Sequence, residues 1–195
     1  MIKASHLGLG LSVLTAVVGM ACRDPVISDA KDELGDEDSA ISPGPYHRAG
    51  QPCLVCHSER GGETEFTVAG TIFASATRQV GVDGAEIRMT DADGTQHTTK
   101  TNCVGNFFVK PNEWVPKFPV LVAVAKGGTR RSMQSVIGRD GSCAHCHSLN
   151  VEKSATGAAV DPKKVAQVYL FGGDEPSAPN GALDCPAPAK KPGSP

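Results

Sequence analysis

The pattern C-x-x-C-H occurs twice, as CLVCH over residues 53–57 and as CAHCH over residues 143–147. No other feature restricts the chain so tightly. Two thiols held about one turn apart can both add to the vinyl groups of a haem, and a histidine directly behind the second thiol reaches the iron. With seven cysteines and six histidines in 195 residues, two such patterns do not arise by chance. The expectation is two covalently bound haem c groups, attached through Cys53, Cys56, Cys143 and Cys146, with His57 and His147 as proximal iron ligands. Other uses of these cysteines fit less well. Structural zinc pairs its C-x-x-C knuckles roughly 12 to 20 residues apart, whereas these pairs stand near opposite ends of the chain body. A thioredoxin-like dithiol opens a helix behind a strand, and neither segment has that pattern. A disulfide across two residues is a poor staple.

Composition agrees with a fold built around prosthetic groups. Aromatic residues make up 5% and Trp114 is the single tryptophan, which limits the apolar core the polypeptide can build alone. Two buried porphyrins would supply the missing surface. A net charge of −2 leaves no basic footprint, so nucleic acid is not an expected partner.

The first residues read as an address. Lys3 precedes an apolar run over residues 7–20, and the small residues around Gly19 and Ala21 mark a cleavage site, giving a signal peptide over residues 1–21. The run is short for a membrane span, which needs roughly 20 apolar residues. Cys22 behind the cut resembles the lipidation site of bacterial lipoprotein signals, although Gly19 stands where those signals usually carry leucine. That resemblance implies a lipid anchor on Cys22 and an exported protein of the periplasm or cell surface, held at the outer membrane. The alternative is an ordinary secretory peptide with an incidental cysteine. Residues 22–45 are acidic and marked by Pro and Gly, and read as a linker. Residues 173–195 form a Pro/Ala-rich tail.

Between the motifs the period changes to two. Phe66, Val68, Gly70 and Ile72 alternate with Thr67, Ala69 and Thr71, and Ala85, Ile87 and Met89 alternate with Glu86, Arg88 and Thr90. A turn over Asp91 to Gly94 leads into a polar strand, and NFFVK and VLVAVA read as further strands. Asp91 and Asp93 echo a calcium loop, but the later ligands are missing, so a hairpin turn is expected. Arg130 and Arg131 read as a solvated strand end or as partners for haem propionates. Residues 165–171 fit a last strand or a short helix. The expected fold is mainly β, a small antiparallel β-sandwich over residues 64–128 flanked by haem-binding loop segments at 46–63 and 129–172.

Residues 68–109 carry V-x-G-x-I, then G-V-x-G-A-x-I-x-x-T-D-x-x-G, then T-x-x-x-G-x-F. This composite resembles the carboxypeptidase-regulatory-like domain, a transthyretin-like β-sandwich, over about a third of the chain. The resemblance implies a structural or binding module without catalytic residues. With a haem motif on either side, the whole is similar to small dihaem c-type cytochrome lipoproteins carrying such an insert. Cys103 occupies a loop position the family does not require to be cysteine. It and Cys185 remain once haem and lipid cysteines are set aside, and an exported chain would favour a disulfide between them over two free thiols.

The sixth iron ligands are drawn from few residues. His47, in a loop ahead of Cys53, is the leading distal candidate, able to serve either haem, and Met133 is the candidate for the other. His145 lies inside its own attachment loop and reads as a surface residue, His97 as exposed, and Met89 as core. The resulting expectation is single-electron transfer with redox partner proteins of the cell envelope and no enzymatic step. The alternatives are a carbohydrate- or protein-binding sandwich with structural haems, or a haem peroxidase, which needs an open sixth position beside acid/base groups.

Overall fold

The computed structural model describes residues 24–37, 44–61, 63–147 and 166–172. The signal segment, Cys22, Cys185 and the tail lie outside the described residues. These fall into two units, divided between Gly35 and Asp36.

The first unit corrects the reading of residues 22–45 as an irregular linker, because it contains helix α1 over Pro25–Leu34. Its signals are local. The Asp24 carboxylate accepts from the amides of Val26 and Ile27, and Pro25 stands in the first turn, where its missing amide hydrogen costs no bond. No residue of α1 is buried, but Val26, Ile27, Ala30 and Leu34 stand at helical spacing, a short apolar stripe that the acidic, Pro- and Gly-marked surroundings masked. Among the described residues no helix is long and apolar enough to cross a membrane.

The second unit is a small β-sandwich. Its strands are β1 (Val68–Phe73), β2 (Glu86–Thr90), β3 (Gln96–Lys100), β4 (Asn106–Val109), β5 (Leu121–Lys126), β6 (Thr129–Ser132) and β7 (Val168–Tyr169). One sheet has the order β4-β1-β7 and the other β3-β2-β5-β6. All pairings between strands are antiparallel except β1 with β7, where Ile72 and Phe73 run beside Val168 and Tyr169 in parallel. The β2–β3 turn is the expected hairpin, with the Asp91 carboxylate accepting from the amides of Asp93 and Thr95. Gly127 and Gly128, both at positive φ, make the tight turn into β6, which carries Arg130 and Arg131.

The core lies between the sheets. Ile87 and Met89 of β2 are fully buried, as their phase predicts, against Val68, Ile72, Val109 and Leu170. β2 keeps strict alternation, but every residue of β1 is buried. Ala69 and Thr71, expected on a solvated face, are 1% and 6% exposed. The reason is the placement of the two motif segments, which both fold back onto β1. His97 is also corrected: it is half-buried, its ring stacked on Trp114 with centroids 5.3 Å apart and planes 6° from parallel.

Candidate functional site

Each motif folds as one short 3₁₀ turn, over Cys53–Val55 and over Cys143–His145. In the first, the amides of Cys56 and His57 donate to the Cys53 carbonyl at 3.2 and 2.9 Å. In the second, those of Cys146 and His147 donate to the Cys143 carbonyl at 3.3 and 2.8 Å. Five residues thereby place two thiols and an imidazole on one turn, and all four thiols are free. The second residue of the first turn's interior, Val55, is buried, and so is Ala144 of the second.

Side chains of the first sheet suspend the segment ahead of Cys53. Asn106 Nδ2 donates to the carbonyls of His47 (2.9 Å) and Pro45 (3.3 Å), and the Gly50 amide donates to Thr71 Oγ1 at 2.8 Å. The Thr71 hydroxyl in turn donates a hydrogen bond to Asn106 Oδ1 at 2.7 Å, so the chain of bonds is closed within the sheet. The second motif is joined to β1 through main chain instead. The Ala69 amide donates to the Gly141 carbonyl at 3.0 Å, and Ala69 bridges Ser142 in parallel. A Cβ at Gly141 would collide with the Thr67 carbonyl, and one at Gly70 would lie 2.7 Å from Cys143 Cβ and 2.8 Å from its sulfur. Close approach, not turn geometry, is what these two glycines provide.

Both motif turns pack on β1. Burial pushes the Cys53 thiol up to about 11 and the Cys143 thiol up to about 12. At Cys143 the charges of Cys53 and Asp140 add to that rise. Asp140 braces the second turn, its carboxylate accepting from the Ser142 amide at 2.8 Å and pairing with His145 Nδ1. Burial alone would raise this carboxyl, but those bonds and the neighbouring Arg139 hold it below the usual carboxylate range.

Both motif imidazoles make the same contact. Nδ1 of His57 is 2.7 Å from the Thr64 carbonyl, and Nδ1 of His147 is 2.7 Å from the Ala166 carbonyl. A carbonyl can only accept, so each Nδ1 carries a proton, and in the neutral ring Nε2 is the nitrogen that presents a lone pair. His57 is held flat as well, stacked on Phe66 at 4.3 Å, which stacks on Phe108 at 4.6 Å. Free thiols paired with imidazoles in the metal-binding tautomer fit a covalently held haem at each motif.

Of the distal candidates, His47 is brought to His57, with ring centroids 5.8 Å apart and planes at 55°. Met133 is half-buried just past β6, its amide donating to the Val122 carbonyl. That places it on the four-stranded sheet, whereas both motifs sit on β1. β6 is nevertheless tied to the chain that holds His147, because Arg131 Nε donates to the Leu170 carbonyl at 3.1 Å. His145 is exposed and paired to Asp140, and Met89 is core. Cys103 is disulfide-bonded, while Cys185 lies outside the described residues. Among the described residues no three His, Cys, Asp or Glu side chains converge as a set for a bare metal ion.

Sequence reasoning missed Thr64, Ala166 and Asn106. The first two act through main-chain carbonyls, which leave no signature in residue type. Asn106 opens a strand, where an amide that reaches across to a remote loop has no local pattern. No protein-family model, curated protein or solved structure matches the chain.

Proposed function

We propose that this chain is an exported dihaem c-type cytochrome that passes single electrons at the bacterial cell envelope. The observation that carries the reading is the shared Nδ1-to-carbonyl bond of His57 and His147 beside four free thiols. When attached, each haem supplies a one-electron couple between ferric and ferrous iron. The chain's own part is to hold and tune. Cys53 and Cys56, and Cys143 and Cys146, fasten the two groups. Thr64 and Ala166 lock the tautomers of His57 and His147 and raise the basicity of Nε2. β1 and its hydrogen-bonded neighbours keep both turns rigid, so little reorganisation accompanies a change of charge.

His47, whose ring lies 5.8 Å from that of His57, would hold the same iron as His57. Met133 would serve the iron on His147, supported by the tie between β6, directly ahead of it, and the segment carrying Ala166. Cys22 would anchor the protein at the outer membrane, within reach of redox partner proteins of the envelope.

Denatured wild-type protein is expected to keep the mass of two haems, and apo mass or a single haem would overturn the reading. The ferric protein should show the near-infrared band of methionine ligation, lost in Met133→Ala and kept in His47→Ala. Each of these variants should open one iron to carbon monoxide, whereas ready binding by wild type would favour a haem enzyme. Two bis-histidine spectra in wild type would exclude Met133.

A further inference from the structure

His47 does not face His57 unaided. Its Nδ1 is buried and forms no hydrogen bond of good geometry, yet Glu37 Oε1 stands 3.2 Å away. The same oxygen accepts a 3.2 Å hydrogen bond from Arg48 Nε, and Arg48 Nη1 donates to Gln51 Oε1 at 2.7 Å. Arg48 itself sits at φ 49°, the left-handed region that a residue other than glycine enters only when its surroundings insist. The chain therefore reverses directly behind His47, and the side chain of the reversing residue is fastened at two points. Asn106 independently pins the His47 carbonyl. What remains for Glu37 to fix is the direction of the ring. By contrast, the proximal rings have neutral carbonyls behind them, from Thr64 and Ala166.

Resting on the dihaem reading above, we infer that Glu37 is the positioning residue of the distal imidazole and sets the balance between the two irons. It clamps the Arg48 reversal so that His47 faces His57, and it places a carboxylate behind the ring. A carboxylate charge 3.2 Å behind the ring, where the proximal rings have only neutral carbonyls, favours the more positive ferric iron electrostatically. The first site therefore becomes the lower-potential one. The substitution is accessible to test, because the Glu37 side chain is 36% exposed and fills no core space.

The experiment uses the full chain with haems attached and compares wild type, Glu37→Gln, Glu37→Asp and His47→Ala. Haem content is counted by mass, both midpoint potentials are titrated, and the ferric spectrum is recorded. Glu37→Gln should keep two haems and shift the ferric-to-ferrous equilibrium at one iron about tenfold towards ferrous, which is about 59 mV for one electron. The other potential should stay in place, and Glu37→Asp should recover part of the shift. Two unmoved potentials in Glu37→Gln would overturn the inference alone. So would a His47→Ala variant whose first-site spectrum matches wild type. Wild type without haem would overturn this inference together with the reading it rests on.

Discussion

At the first motif the His57 amide closes the turn on Cys53 at 2.9 Å and its ring nitrogen reaches a carbonyl at 2.7 Å; at the second, His147 repeats both contacts at 2.8 and 2.7 Å. The surroundings share almost nothing. The first turn hangs from Asn106 and Thr71 by side-chain bonds, with two stacked phenylalanines and a second imidazole beside it. The second is joined to β1 through Gly141, presses its leading cysteine onto Gly70, and exposes a histidine braced by Asp140. The turn is a local object that five residues specify. The environment is a tertiary one, and it is there that two chemically equal sites acquire different behaviour.

Removing the thiols tests that separation most severely. Cys53→Ala with Cys56→Ala should leave a protein with one covalent haem on the second motif, and the reverse pair should leave one on the first. Mass spectrometry of denatured protein checks both, and a double variant that loses both haems would mean the sites do not assemble independently.

A smaller change should act on the second site alone. Gly70→Ala drives a methyl group into Cys143, and overpacking of this kind costs about 1 to 3 kcal/mol. Denaturant melts should register that loss. Peptide mapping should show haem depleted at Cys143 and Cys146 and retained at Cys53 and Cys56. Equal depletion at both motifs would break the comparison.

The smallest effect belongs to Asp140. Its carboxyl lies below its ordinary value in the folded state, so its contribution is present above the unfolded value of 3.8 and is lost as the pH falls through the lowered one. Asp140→Ala should cost about 1 kcal/mol at neutral pH, a figure kept low because the pair with His145 is solvent-screened. The gap between melts of wild type and variant should begin to narrow near pH 3.8 and close only below the lowered folded-state value. A gap that persists there would place the stabilisation outside the carboxylate.

Much of this molecule is legible in its sequence because the relevant physics is local. The spacing of Cys53, Cys56 and His57 is also the spacing of one hydrogen-bonded turn, and the same holds for Cys143, Cys146 and His147. Strict alternation at Ile87 and Met89 marked the buried face of β2, and Asp91 with Gly94 marked the turn that follows. Tertiary structure decided the rest. Alternation along β1 suggested one solvated face, but a strand cannot announce that remote segments will cover it. α1 was overlooked for a local reason, since the short stripe of Val26, Ile27, Ala30 and Leu34 lies in an acidic stretch whose composition reads as linker. His47 and His57 meet because Asn106, far along the chain, holds the His47 carbonyl. Residue types determine which groups can bind, whereas backbone carbonyls and long-range bonds, invisible in those types, determine which of them face one another.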